Sequence, residues 1–153
     1  MLKVLFLDID GVLNSQDFFN KRYDLIKDGI HPNYPYTEFD PLSIKELNRI
    51  LDNTDAKLVV SSSWRHDPNL NNTFKEVGIS HDIFDITPYL GNVDRGFEIE
   101  KFIKDNNVEV YAILDDDTDM LDSQLTNFFK TNAYSNGLNS EIADKVIEHL
   151  NKI

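Results

Sequence analysis

Three short polar clusters carry the residues with the most chemical potential: Asp8-Ile9-Asp10-Gly11, Ser61-Ser62-Ser63 and Asp115-Asp116-Asp117. Each directly follows an apolar run. A lone Asp-x-Asp-Gly often marks nothing more than a turn, but two acidic clusters and a serine cluster in equivalent places form a pattern. Carboxylates converging at one point repel one another unless a cation sits among them. Oxygen donors without histidine or thiolate select Mg2+ over zinc, and the further ligands of a calcium loop are missing after Asp10. Two carboxylates two residues apart then have separate uses. Asp8 can attack an electrophilic phosphorus once a cation offsets the repulsion between the anions. Asp10, just past it, is placed to protonate the leaving oxygen and then to deprotonate the water that hydrolyses an aspartyl-phosphate. The turn through Gly11 and Val12 and a serine hydroxyl would donate to phosphoryl oxygens, with a cation from another loop offsetting charge.

The elements needed to position these clusters are legible in the pattern. Lys3–Leu7, Leu58–Val60 and Val110–Leu114 are short apolar runs that suit strands buried on both faces of a parallel sheet. Between them the spacing predicts helices. Pro41–Leu51 aligns Ile44, Leu47, Ile50 and Leu51; Phe97–Lys104 aligns Ile99, Phe102 and Ile103; Ser140–Ile153 aligns Ile142, Val146, Ile147 and Leu150. A further strand is expected over Ile83–Thr87. This alternation predicts a doubly wound, mainly parallel α/β sheet, whose ligands lie outside the carboxyl ends of the strands. Residues 15–40 interrupt it with an aromatic-rich insertion, read equally as a small cap over the site or as a loop packed on the surface.

A length of 153 residues points to one domain over 1–153. With 41% hydrophobic and 27% charged residues the composition is that of a globular protein. The absence of cysteine removes disulfides, thiolate zinc sites and cysteine nucleophiles. No run approaches the ~20 apolar residues of a membrane span, and a cytoplasmic protein is expected. The 15 basic and 27 acidic side chains give a net charge of −12, which argues against stable binding of long nucleic acid by its phosphates.

The chain resembles the haloacid dehalogenase-like (HAD) phosphohydrolases. Asp8-Ile9-Asp10-Gly11-Val12-Leu13-Asn14 is similar to their first motif, Ser61-Ser62-Ser63-Trp64 to the second and Leu114-Asp115-Asp116 to the fourth. Ile83-Phe84-Asp85-Ile86-Thr87-Pro88, Arg95-Gly96-x-Glu98-Ile99 and Thr131-Asn132…Gly137-Leu138 extend the similarity to a subgroup found in Swiss-Army-Knife RNA-repair proteins. The resemblance implies a Rossmann-like core and a phosphatase with Asp8 as nucleophile and Asp10 as general acid and base. Mg2+ would be held by the Asp8 carboxylate, the Asp10 main-chain carbonyl and Asp116, with Asp115 close by. Gly11, Ser62 and Arg95 would bind the phosphate, Ser61 competing with Ser62. Arg95 stands near the place where the family usually has lysine, and Lys101 is the alternative. The substrate would be a small phosphorylated molecule, a nucleotide or a nucleic-acid terminus. The rival readings are a receiver-like domain, disfavoured because its central strand should end in aspartate rather than serine, and a catalytically silent phosphate- or Mg2+-binding fold.

The remaining residues have simpler explanations. His31, His66, His81 and His149 are expected at the surface or in loops, Trp64 in packing beneath the site rather than stacked on a substrate base, and Arg65 either on a distal phosphate or in an ion pair. Asp117, Asp119 and Asp122 suit helix starts, Asn14 a turn, and Thr131 and Gly137 a hairpin.

Overall fold

A computed structural model describes residues 1–29 and 38–152. The elements run β1 (Leu2–Leu7), α1 (Gln16–Lys27), α2 (Pro41–Asn53), β2 (Lys57–Val60), α3 (Leu70–Glu76), β3 (Ile83–Ile86), α4 (Arg95–Asn106), β4 (Val108–Asp115), β5 (Phe128–Lys130) and α5 (Ser140–Asn151). The strands form one sheet in the order β3-β2-β1-β4-β5, and every neighbouring pair is parallel. The expected α/β architecture is therefore present. Its strand order reverses at β1, the place where such sheets open a crevice.

Side-chain alternation divides the core into two layers. Leu5, Leu7, Leu58, Val60, Ala112 and Leu114 pack with Leu47 and Ile50 of α2, Phe74 of α3 and Val146 and Leu150 of α5. Val4, Phe6, Val59 and Ile113 face the other way, onto Ile99 and Phe102 of α4. Helix starts are set locally: Asp40 accepts from the Leu42 amide with Pro41 at the first helical position, and Asn139 accepts from that of Ile142. At its far end α4 is closed by Asn107 in a left-handed conformation.

Two elements go beyond the sequence pattern. Phe128–Lys130 is a three-residue edge strand, too short to leave a periodic signal. Within the 15–40 insertion, α1 is capped by Ser15, which accepts from the Phe18 amide; Phe18 is buried, whereas Tyr23, Leu25 and Ile26 are exposed. His31, Pro32, Tyr34, Pro35 and Tyr36 of that insertion lie outside the described residues. Among the described residues no helix is long and apolar enough to cross a membrane.

Candidate active site

The two-residue period of the strands decides which side chains meet. Val4 and Phe6 of β1, Val59 of β2 and Ile113 of β4 face α4, so the next residues in phase are Asp8, Ser61 and Asp115. The parallel ladder continues one step past the apolar runs: the Asp8 amide donates to Leu114 O (2.9 Å) and the Ser61 amide to Leu7 O (2.9 Å). Helix α4 opens with Arg95. Its Nη1 lies 2.6 Å from Asp115 Oδ2 and 3.1 Å from Asp8 Oδ1.

Arg95 is held by its own backbone as well. Its amide donates to Asp119 Oδ2 (3.1 Å), that of Gly96 donates to Asp119 O (3.1 Å), and Gln124 Nε2 donates to Gly96 O (2.8 Å). A Cβ on Gly96 would come 2.7 Å from Leu121 N, which is why glycine follows the arginine. Asp119 is thus an acid at a helix start, but the helix is α4, 24 residues earlier in the chain. Lys101 pairs with Asp105 one turn further along the exposed side (2.8 Å) and does not join the cluster.

Asp8, Asp115 and Asp116 each offer a carboxylate oxygen, all within 4.8 Å of one another. Asp8 and Asp115 are buried and Asp116 partly so. Gly11 permits the convergence: its φ is +83°, and a Cβ there would meet Asp116 Cγ at 2.5 Å. Burial pushes the Asp8 carboxyl up to about 8, the charge of Asp115 adds to the rise, and Arg95 opposes it. Burial raises Asp115 too, against the pull of Arg95. Burial alone would lower the Arg95 guanidinium, yet Asp115 and Asp8 hold it above its ordinary value. Three crowded carboxylates facing one guanidinium retain a negative excess, and their all-oxygen donor set fits a hard divalent cation.

The Asp10 carboxylate turns to other partners. Asn14 Nδ2 donates to its Oδ1 (3.1 Å) and Trp64 Nε1 to its Oδ2 (3.1 Å). The Gly11 amide donates to Asn14 Oδ1 (2.8 Å) and the Val12 amide to Ile9 O (3.1 Å), so both are used inside the loop. Asn14 Nδ2 also reaches Glu38 O (3.0 Å), and the Asp40 amide donates to Leu13 O (2.7 Å). These bonds join the two ends of the insertion beside Asp10. Neither Asn14 nor Trp64 was assigned a partner from sequence; the available signal was their position, four residues after Asp10 and two after Ser62.

The serines divide their tasks. Ser62 Oγ accepts from the Trp64 amide (3.2 Å), capping the short 3-10 helix Ser63–His66. Ser61 is fully buried and its hydroxyl has no hydrogen-bond partner among the described residues. Arg65 forms the expected ion pair, buried: Nη2 lies 3.2 Å from both Glu98 oxygens, and Nη1 donates to Ser61 O and Ser62 O (3.1 Å each). On the other side, Thr131 Oγ1 donates to Gly11 O (2.7 Å), and the Leu138 amide donates to Val12 O (2.7 Å). A Cβ on Gly137 would strike Val12 O at 2.6 Å. His149 departs from the expected surface or loop position: it is half-buried on α5, and its Nε2 bonds to Tyr111 O (3.0 Å) and Asn127 Oδ1 (2.9 Å).

No curated protein and no solved structure matches the chain. Residues 4–143 match the family described as the HAD domain in Swiss Army Knife RNA repair proteins. That span runs from β1 into α5 and takes in Asp8, Trp64, Arg95 and Asp115, so the chain belongs to this HAD family.

Proposed function

We propose that this chain is a Mg2+-dependent phosphomonoester hydrolase that works through an aspartyl-phosphate on Asp8. The observation that carries the reading is the convergence of Asp8, Asp115 and Asp116 within 4.8 Å beside the Arg95 guanidinium. The metal would be held by the Asp8 carboxylate, the Asp10 main-chain carbonyl and Asp116, with Asp115 close by. Bound there, it supplies charge neutralisation for an anionic substrate meeting an anionic nucleophile.

The chain's own residues divide the remaining work. Asp8 Oδ attacks phosphorus and displaces the ester oxygen. Asp10 gives that oxygen its proton, then takes one from the water that cleaves the acyl phosphate. Arg95 presents a planar fork to the phosphoryl oxygens as it leaves the carboxylates. Ser62 Oγ accepts from Trp64 and keeps its own proton to donate; Ser61, whose hydroxyl is unpartnered among the described residues, competes for this role. Gly11 contributes space for Asp116. The family's occurrence in RNA-repair proteins supports a nucleotide or nucleic-acid end as substrate. The 15–40 insertion, its ends joined beside Asp10, would act as a small cap.

Phosphate release from p-nitrophenyl phosphate tests the reading. Wild type is expected to turn over only with Mg2+, and Asp8→Asn to be inactive with its circular dichroism unchanged. An active Asp8→Asn variant would refute the mechanism, and a wild type inert across a panel of phosphate esters would favour a silent binding fold.

A further inference from the structure

We propose that Trp64 is a positioning residue for Asp10: its indole N–H and the side-chain amide of Asn14 hold the two oxygens of that carboxylate in one orientation. The inference rests on Asp10 acting as the acid of the proposed reaction. Asp10 is exposed, and a solvated aspartate on a loop samples several rotamers. Here Oδ2 accepts from Trp64 Nε1 and Oδ1 from Asn14 Nδ2, each at 3.1 Å.

Both donors are themselves fixed. Asn14 is buried, and its Oδ1 accepts from the Gly11 amide, which leaves Nδ2 to face Asp10 and Glu38. The indole is seated by the core. Its ring centroid lies 5.4 Å from that of Phe39, which in turn packs edge-on to Phe74 at 6.4 Å, and the Trp64 amide is tied to Ser62 Oγ. Trp64 therefore links the second-motif turn to the acid of the first motif. A carboxylate has about four acceptor sites, so two fixed bonds leave sites from which a proton can still pass to a leaving oxygen.

A misplaced acid has a recognisable effect. A nitrophenolate departs without protonation, whereas an alkoxide needs its proton as the bond to phosphorus breaks. The ratio of kcat/KM for an alkyl ester to that for an aryl ester thus reports how well Asp10 is placed, and a general loss of folding would not move it. The full-length protein with Mg2+ is assayed on β-glycerophosphate and p-nitrophenyl phosphate. Trp64→Phe keeps the ring and deletes the N–H; the alkyl-to-aryl ratio is expected to fall about tenfold, a part of the roughly 10²–10⁴-fold that a placed acid contributes. Asp10→Asn should lower the ratio further, and the double variant should match Asp10→Asn alone. Asn14→Ser, which removes the other donor, provides a second reading should Trp64→Phe melt near the assay temperature. An unchanged ratio in both variants, or losses that add in the double variant, overturns the role of Trp64 and leaves the hydrolase standing. A change confined to KM for nucleotides also overturns it, in favour of base stacking on the indole. A wild type inactive on both esters overturns the inference together with the reaction it serves.

Discussion

Arg95 bridges two buried carboxylates, and that placement makes the energetics of Asp8 depend on what else shares the site. In the folded chain burial and Asp115 lift the Asp8 carboxyl to about 8 from an ordinary 3.8. A raised carboxyl favours the folded state while it is protonated. Its contribution is full below about pH 4 and is lost as the pH climbs through about 8. A cation held by these carboxylates would take the proton's place, so stabilisation by Mg2+ should grow over this window. Thermal unfolding with and without Mg2+ checks it: a small shift near pH 5 and a clearly larger one near pH 8, whereas equal shifts would separate the metal from Asp8. The acidic and serine residues were legible in the sequence because each follows an apolar run, whose strand end fixes their position. Arg95 was legible only through family resemblance, since nothing in a helix-opening arginine announces its partners. The bonds of Trp64 and Asn14 to Asp10 were hidden, because packing and turn formation already account for those residue types.

The elements carrying these residues are joined by one buried ion pair. Arg65, from the turn after β2, reaches both carboxylate oxygens of Glu98, from the first turn of α4, through its Nη2, and Glu98 also accepts from the Leu90 amide (2.9 Å). Glu98→Ala would leave Arg65 buried and uncompensated, a loss of about 3–5 kcal/mol. Chemical denaturation measures this; a change near zero would mean that the pair is dispensable to the fold. Gly96, against Leu121 N, belongs to the same seam. Helices α2, α4 and α5 and strands β1 to β4 were readable from period and apolar runs. Edge strand β5 was not, being three residues long. Nor was α1, which buries Phe18 but leaves Tyr23, Leu25 and Ile26 in solvent, so its apolar residues do not mark a face turned to the core.

Over the whole molecule, charge sets the class of substrate the surface can hold. Against a net −12, several described cations are already engaged: Arg49 with Glu46 and Asp144, Lys75 with Asp82, Lys101 with Asp105, Lys104 with Glu100 and Lys145 with Glu141. Such a surface offers a long strand little to release counterions against. On 3′-phosphorylated oligonucleotides kcat/KM should therefore stay flat as the strand lengthens, with a shallow dependence on salt. Rising efficiency with length would reveal a strand-binding track. The stitching of the insertion has a different kind of consequence. Asn14 reaches Glu38 O, the Asp40 amide reaches Leu13 O, and the Gln16 and Asp17 amides donate to Ala133 O and Tyr134 O, so both ends of the 15–40 insertion are tied to the domain. A change of length between those ties is therefore expected to leave the bonds beside Asp10 in place.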